Sequence, residues 1–204
     1  MRIGFDLDST LLDFQLGVVK VMKAIYRQEG KEVTVLADPG YDVNGIIEGV
    51  TKEENDRLKE QNLGWFCLEE EPIEGALEML TELKRRGHEL FVVTARNPEE
   101  VHRIMGFPLL NVQEFTKAQV NFWFPGIFNG VYHNQNKTCV CVELGLDVLV
   151  DDYPKYAIEL EGFATVPILK DYVYNREYPG LRVKKLKELV AIIDEMEVKK
   201  QCQC

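Results

Sequence analysis

Three short apolar segments of this chain each end in polar or charged residues, and this repeated pattern limits the fold more than any other feature. Helical patterns separate the segments, and alternating strands and helices are typical of a parallel sheet with right-handed crossovers. In an open parallel sheet, ligands bind beyond the carboxyl ends of the strands. We therefore expect the three polar groups to meet at one site. The groups are Asp6 and Asp8 after the first segment, Thr94, Ala95 and Arg96 after the second, and Asp151 and Asp152 after the third.

The acid pair Asp6 and Asp8 is weak evidence when taken alone, because acids often end strands where loops meet water. In a continuous strand the two side chains would point to opposite faces of the sheet, whereas a break in the strand lets them converge. The pair gains weight from the residues that follow it in order, Thr94, Lys137 and the acids at 151 and 152. Together these residues indicate a site for phosphate and a metal ion.

This set of residues resembles the four motifs of the haloacid dehalogenase-like phosphohydrolases, and the resemblance spans nearly the whole chain. It implies an α/β fold with a Rossmann-like, three-layer α/β/α core around a parallel sheet. The matching residues are Asp6 and Asp8 in the first motif, Thr94 in the second, Lys137 in the third, and Asp151 with Asp152 in the fourth.

The alternation of strands and helices stops between residues 12 and 72. This interval contains two helical patterns, over residues 18–26 and 51–61, with a stretch containing proline and glycine between them and no confident pair of sheet strands. Because it follows the first motif directly, we interpret it as a small helical cap. The expected domains are an α/β core of residues 1–12 and 73–198, a cap of residues 13–72 and a flexible tail of residues 199–204.

Hydrophobic periodicity predicts the other elements of the core, and their order is that of an α/β sheet. Helices are expected over residues 74–86, 98–105, 113–124, 154–160 and 184–196, with a further helix that begins near residue 136. Strands are expected over residues 90–94, 128–132, 147–150 and 164–168.

Within the superfamily, the chain resembles the small 5'-nucleotidases of the deoxyribonucleotidase type. One departure is Ser9, where the family usually has glycine, which tolerates backbone conformations that serine does not. The segments that carry the likeness are LDF at residues 12–14, EPIEGA at 71–76, VTAR at 93–96 and YNR at 174–176.

The resemblance implies a mechanism for the motif residues. Asp6 would be the nucleophile that forms an aspartyl-phosphate intermediate. Asp8 would act as general acid toward the ester oxygen and then as general base toward water, and the neighbouring charge of Asp6 should raise its pKa. Thr94, the main-chain N–H of Ala95 and Lys137 would bind the phosphoryl oxygens.

The resemblance also implies a bound Mg²⁺, because a carboxylate and a phosphate repel each other and a hard cation with oxygen ligands offsets this. The ligands would be Asp6, Asp151 and the main-chain carbonyl of Asp8. Asp152 would lie behind these ligands or bind the ion through water.

The expected substrate is a small phosphomonoester, and the nucleotidase likeness favours a (deoxy)nucleoside 5'-monophosphate. Phe14 follows the catalytic loop and is a candidate for substrate contact or for the core of the cap, while Arg96 would contact substrate or cap its strand. A phosphatase of another small metabolite, such as a sugar phosphate, is the alternative. A receiver-like signalling domain is a more remote one, which the acid pair and the helical insertion disfavour. The sequence gives neither the base and sugar preference nor the oligomeric state.

The chain is acidic, with a net charge of -10 and a pI of about 4.9, which disfavours binding to nucleic-acid polymers and anionic membranes. No apolar run approaches the ~20 residues of a membrane helix, and no signal segment precedes the first strand. We therefore expect a cytoplasmic protein. The five cysteines are expected to be free thiols, and the role of the Cys202 and Cys204 pair stays open.

Overall fold

The computed structural model describes residues 1–36, 40–41, 45–99, 101–104 and 107–201. Strands and helices alternate along most of this length, as the sequence predicts. The strands are β1 (Arg2–Phe5), β2 (Glu89–Thr94), β3 (Val101–Ile104), β4 (Phe107–Asn111), β5 (Gly130–His133), β6 (Val148–Asp151), β7 (Val166–Lys170) and β8 (Arg182–Val183). The helices are α1 (Phe14–Gln28), α2 (Lys52–Leu68), α3 (Ala76–Arg85), α4 (Val112–Trp123), α5 (Lys137–Leu144), α6 (Pro154–Glu159) and α7 (Glu188–Gln201).

Six of these strands form one parallel sheet in the order β5-β2-β1-β6-β7-β8. β1 lies at the centre, with Phe5 in register with Val92 of β2 on one side and with Val150 of β6 on the other. The carboxyl ends of β1, β2 and β6 therefore lie side by side at one edge of the sheet. This arrangement confirms the predicted Rossmann-like α/β core, and it brings the three polar groups of the sequence together.

Apolar residues of the central strands pack on both faces of the sheet, as expected for strands covered by helices on each side. Phe5 and Val92 belong to a buried cluster with residues of α3, α4 and α7. Phe91 and Val93 belong to a second cluster, with residues of α5 and residues in and just after α6. The core thus has the three layers, helix, sheet and helix, that the sequence indicates.

Helices α1 and α2 pack against each other and share a hydrophobic cluster that is separate from the two clusters of the sheet. The side chain of Asp13 begins α1 by accepting a hydrogen bond from the Leu16 N–H at 2.9 Å. Thr51 begins α2 in the same way, by accepting from the Glu54 N–H at 3.2 Å. Both helices are longer than predicted, and the domain boundaries of the cap stay a prediction.

Two paired segments join these helices to the sheet. Leu12 and Pro72 form an antiparallel bridge. Beside it, the Asp13 N–H donates to the Glu71 carbonyl at 2.8 Å, and the Ile73 N–H donates to the Leu11 carbonyl at 2.9 Å. The chain therefore leaves the core and returns to it at adjacent points.

The prediction of a helix over residues 98–105 is wrong. β3 and β4 form an antiparallel pair there, with Val101 in register with Asn111 and Ile104 with Phe107. The spacing of Val101 and Ile104 fits a helix, but β-branched residues are also favoured in strands, and pairing with β4 decides between the two. Residue 100 and residues 105–106 lie outside the described residues.

The other differences concern element ends. The helix predicted over residues 184–196 begins at Glu188 and runs to Gln201, three residues into the segment that was expected to be a tail. The two-residue strand β8 was not predicted, because a segment of this length carries no periodicity. Cys202 and Cys204 lie outside the described residues. Among the helices that are described, none combines the length and the apolar character needed to cross a membrane.

Candidate active site

A cavity of about 330 Å³ lies at the carboxyl ends of β1, β2 and β6, between the sheet and the helices α1 and α2. Acidic, basic and aromatic side chains line it together. From the core these include Asp6, Asp8, Ala95, Arg96, Lys137, Asp151 and Asp152, and from the insertion Phe14, Tyr41, Lys59, Leu63 and Cys67.

Lys137 connects the first and last acidic motifs. Its ammonium donates to Asp6 Oδ1 at 2.6 Å and to Asp151 Oδ2 at 2.7 Å, and the residue is 1% exposed. It is the first residue of α5, which begins where Asn136 accepts a hydrogen bond from the Cys139 N–H. Burial lowers the pKa of Lys137, but the charges of Asp151 and Asp6 outweigh burial and raise it. Lys137 is therefore charged and sits between the two carboxylates.

Asp152 completes an acidic cluster with Asp6 and Asp151, since carboxylate oxygens of the three residues lie within 4.8 Å of one another. The Tyr174 hydroxyl donates to Asp152 Oδ2 at 2.5 Å, and the Asn175 side chain donates to the Asp152 carbonyl at 2.8 Å. Burial, followed by the charge of Asp151, raises the pKa of Asp152 to about 7. The YNR segment of the sequence thus fixes the position of this acid.

The donor set of the cluster fits a divalent cation. Three buried carboxylates face one ammonium group, and burial, followed by neighbouring acids, raises the pKa of Asp6 well above its ordinary value although Lys137 opposes the shift. Oxygen ligands and excess negative charge suit a hard cation such as Mg²⁺. Asp6 and Asp151 would hold it as the resemblance implies, with Asp152 beside them, and the ligand role of the Asp8 carbonyl stays a prediction.

Asp8 points away from this cluster and pairs with Arg96. The Arg96 Nε donates to Asp8 Oδ2 at 2.9 Å, and the Arg96 Nη2 donates to Asp8 Oδ1. Burial acts to raise the pKa of Asp8, but the guanidinium outweighs burial and lowers the pKa below its ordinary value. The expectation of a raised pKa was wrong, because sequence reasoning considered Asp6 as the neighbour and not Arg96.

The other two phosphate-binding candidates lie at the end of β2. Thr94 is fully buried, and its hydroxyl accepts a hydrogen bond from the Arg96 N–H at 3.2 Å. Ala95 lines the cavity, whereas Thr94 does not. Their role toward a phosphoryl group stays a prediction.

Ser9 follows Asp8 with a φ of 59°, in the left-handed region where glycine is favoured. Among the described residues it is the only non-glycine residue with a positive φ. Strand β1 ends at Phe5, before the acid pair, and the backbone turns sharply after the pair. Both acids line the cavity, although their carboxylates bond to different partners.

Aromatic side chains form part of the wall of the cavity. Phe14 lines the cavity and also packs edge-on against Phe66, at 6.4 Å between ring centroids. Tyr41 stacks on Tyr153 of the core at 4.0 Å. Phe14 therefore packs within the insertion and also lines the cavity, and its contact with substrate stays a prediction. Phe66 is fully buried and belongs to the cluster of α1 and α2.

Arg96 lines the cavity, and its two expected roles, substrate contact and capping of the strand, stay predictions. Its side chain pairs with Asp8, with Glu70 at 2.9 Å and with the Gln119 oxygen at 2.8 Å. Sequence reasoning missed Glu70 and Gln119. Glu70 lies in a run of three acids, which reads as a solvated surface, and Gln119 lies in the middle of a helical pattern without any motif.

Comparison with known proteins finds a relative of similar length. The chain is 26% identical over 177 residues to the protein named "Putative nucleotidase OB0422" from Oceanobacillus iheyensis, with 86% of this chain and 89% of the relative covered.

Two solved structures share the fold. One is described as a "putative phosphoglycolate phosphatase" from Lactobacillus delbrueckii subsp. bulgaricus, with a TM-score of 0.59 and 18% identity over 92% of this chain and 95% of that chain. The other is described as a "Putative beta-phosphoglucomutase" from Bacteroides vulgatus, with a TM-score of 0.55 and 18% identity over 97% of this chain and 88% of that chain. A family model described as "Haloacid dehalogenase-like hydrolase" matches residues 3–117, more than half of the chain. The chain therefore belongs to the haloacid dehalogenase-like hydrolases.

Proposed function

We propose that the protein is a Mg²⁺-dependent phosphatase that hydrolyses (deoxy)nucleoside 5'-monophosphates through an aspartyl-phosphate intermediate. The observation that carries this proposal is the buried Lys137 between Asp6 and Asp151 at the carboxyl edge of the sheet. Together with a divalent cation held by the acidic cluster, this buried ammonium would offset the negative charge of a phosphate substrate. Membership of the hydrolase family supports the same conclusion.

In the proposed reaction, a carboxylate oxygen of Asp6 attacks phosphorus, and the bond to the ester oxygen breaks. The leaving oxygen takes a proton from Asp8. In the second step, Asp8 accepts a proton from water, the water oxygen bonds to phosphorus, and the bond to Asp6 breaks to release inorganic phosphate. The lowered pKa of Asp8 favours its role as base in the second step, so Asp8 must take up a proton before it can act as the acid.

The other residues of the site would position and neutralise the phosphoryl group. Lys137 would offset its charge, and the main-chain N–H of Ala95 would donate to a phosphoryl oxygen. Thr94 would hold the turn after β2 by accepting a hydrogen bond from the Arg96 N–H. Mg²⁺, when bound by the acidic cluster, would supply further positive charge next to the phosphoryl oxygens.

The nucleotide part of the proposal is supported by the aromatic wall of the cavity and by the name of the relative from Oceanobacillus iheyensis. Phe14, Tyr41 and Tyr153 line a cavity that also contains Asp6 and Asp8. A base can stack on such rings, whereas an aliphatic phosphate ester cannot.

A phosphatase of another small metabolite is the second candidate. Polar residues, among them Lys59, Asn97 and Gln135, also line the cavity, and they would suit the hydroxyl or carboxylate groups of a sugar phosphate or a phosphorylated acid. The descriptions of the two solved structures, which name a phosphoglycolate phosphatase and a phosphoglucomutase, favour this candidate.

In either case the expected partner is a small molecule. We propose a cytoplasmic location because Cys67, Cys139 and Cys141, the cysteines that the structure describes, are free thiols.

A phosphate-release screen tests the proposal. Nucleoside monophosphates, deoxynucleoside monophosphates and sugar phosphates are each offered with Mg²⁺ and with EDTA. We expect the nucleotides to give the highest kcat/KM and EDTA to abolish release. Preference for a sugar phosphate or phosphoglycolate would favour the second candidate. Release that persists in EDTA, or no release from any substrate, would contradict the proposal.

A further inference from the structure

The guanidinium of Arg96 is buried, and its bonds extend in three directions. Its Nε and Nη2 atoms donate to the two carboxylate oxygens of Asp8, and we call this pair of hydrogen bonds the Arg96–Asp8 fork. The Nη2 atom also donates to Glu70 Oε2 at 2.9 Å, and the Nη1 atom donates to the Gln119 side-chain oxygen at 2.8 Å. The side chain of Arg96 is 6% exposed and that of Glu70 is 0% exposed. These bonds fix the guanidinium plane.

Gln119 closes the network on the far side. Its Nε2 donates to Glu70 Oε2 at 3.3 Å and to the carbonyl of Cys67. Glu70, Arg96 and Gln119 therefore bond to one another in a ring that joins the end of α2 to α4. Neither Glu70 nor Gln119 lines the cavity, whereas Arg96 and Asp8 both do.

Stability alone does not account for this arrangement. Replacing a buried ion pair with apolar residues of similar size is often neutral or stabilising, because the charges lose their hydration. A cation site is excluded as well: although Asp8, Cys67 and Glu70 offer ligand atoms within 4.8 Å, Arg96 already donates to both carboxylates.

We propose that Glu70, held by Gln119, is a positioning residue for Asp8. Glu70 holds the Arg96 guanidinium in place through its hydrogen bond with Nη2. The Nε and Nη2 atoms then donate to Asp8 in one fixed geometry, which orients the Asp8 carboxylate. Without Glu70, a long arginine side chain has several rotamers from which it can pair with Asp8, and the carboxylate turns with it. This inference rests on the proposed function, because it takes Asp8 as the residue that transfers the proton.

The test uses the substitutions Glu70→Leu and Glu70→Gln, with Glu71→Leu as the matched control. Glu71 is the next residue, but its carboxylate is exposed and pairs with Lys20 rather than with Arg96. Each variant is assayed with a nucleoside monophosphate, whose alkoxide leaving group needs a proton, and with p-nitrophenyl phosphate, whose leaving group does not. The phosphoryl-transfer step is measured as a burst.

We expect Glu70→Leu to lower the transfer rate with the nucleotide by roughly tenfold or more, within the ~10²–10⁴-fold that general acid catalysis contributes, and to change KM by less than about threefold. The first step with p-nitrophenyl phosphate should change little. Glu70→Gln should recover most of the rate, because its amide oxygen still accepts from Arg96. Glu71→Leu should match the parent protein with both substrates.

Equal losses with both substrates, a change in KM alone, or no recovery in Glu70→Gln would overturn the inference. If Glu70→Leu does not fold, Gln119→Leu replaces it. The same selective loss with the nucleotide is expected, and the same results would overturn the inference. If the parent protein hydrolyses neither ester, the proposed function has failed, and crystal structures of Glu70→Gln and Gln119→Leu then decide the inference. The Arg96–Asp8 fork should be retained in the first and lost in the second, and a fork that survives Gln119→Leu would overturn it.

Discussion

At the scale of single residues, the site depends on where a few buried charges are placed. Lys137 is charged because two acids outweigh its burial, and Asp8 is ionised because Arg96 outweighs the burial of Asp8. Asp6 shares its cation, Lys137, with Asp151, and burial raises the pKa of Asp6 although Lys137 opposes the shift. The pKa values of the two acids of the first motif, separated by one residue, are therefore shifted in opposite directions because their neighbours differ.

Asp6→Asn should abolish turnover and formation of a phosphoenzyme while the protein stays folded. The amide keeps the volume of the side chain but is no nucleophile, so the loss should be several orders of magnitude. Steady-state phosphate release and trapping of labelled phosphoenzyme measure it, and Asp56→Asn, an exposed acid on α2 that pairs with Lys52, is the control. Activity within about tenfold of the parent would remove Asp6 from the role of nucleophile.

At the scale of elements, the helices of the insertion contact each other closely and also face the cavity. Gly17 of α1 lies against the main chain of α2, where an added Cβ would stand 2.4 Å from the Phe66 carbonyl oxygen. Glycine is therefore required at this position for the two helices to approach. Phe14, at the start of α1, reaches the cavity from the same helix.

Gly17→Ala should destabilise the protein, although alanine is the better helix former by about 1 kcal/mol. The clash is with backbone, which cannot move aside, and overpacking of this kind costs roughly 1–3 kcal/mol. Urea unfolding should show a lower midpoint, with Lys23→Ala on the exposed side of α1 as the control. An unchanged or raised midpoint would show that the helices can separate without cost.

Phe14→Ala should raise KM for nucleoside monophosphates by about one order of magnitude, since stacking on a base contributes ~1–3 kcal/mol. A small phosphate ester without a base should be barely affected. Phe163→Ala, an exposed phenylalanine outside the cavity, serves as the matched control. An equal penalty on both substrates, or none on either, would indicate that Phe14 only packs against Phe66, and it would favour a substrate other than a nucleotide.

The sequence predicts the elements that carry the site better than it predicts the bonds within the site. Asp6 and Asp151 could be placed at one edge because each follows a clear apolar strand. The hairpin of β3 and β4 could not be predicted, because strand pairing depends on partners and Val101 and Ile104 fit either structure. Glu70 could not be found, because nothing in an acidic run distinguishes the one member that is buried beside an arginine.

At the scale of the whole molecule, three of the acids that make up the net charge of -10 are buried together at one edge of the sheet. Burial raises the pKa of Asp6 and brings that of Asp152 to about 7, against an ordinary value of 3.8. Between these pH values the two acids thus bind more protons in the folded than in the unfolded state, so the stability that they contribute to the metal-free protein should fall as the pH rises toward 7.

Mg²⁺ should raise the unfolding temperature, and more at about pH 8 than at about pH 6, because above the raised pKa the cation offsets charges that protons no longer neutralise. At about 100 times Kd the gain is ~2.7 kcal/mol, or roughly 5–10 °C. Thermal unfolding with Mg²⁺ and with EDTA measures it, and Asp152→Asn should weaken the dependence on pH. An equal gain at both pH values would contradict this explanation, and no gain at either would argue against a metal site.

The bridge between Leu12 and Pro72 has a consequence for how such a protein can change over evolutionary time. Because the two ends of the insertion lie side by side, the closure entropy that it costs grows only slowly with its length. The strand β1 pairs with β2 and β6 and, among the described residues, with no strand between these ends. Segments of different length and sequence can therefore be exchanged at this junction, so that an ancestor could acquire a new substrate while its reaction chemistry was inherited unchanged.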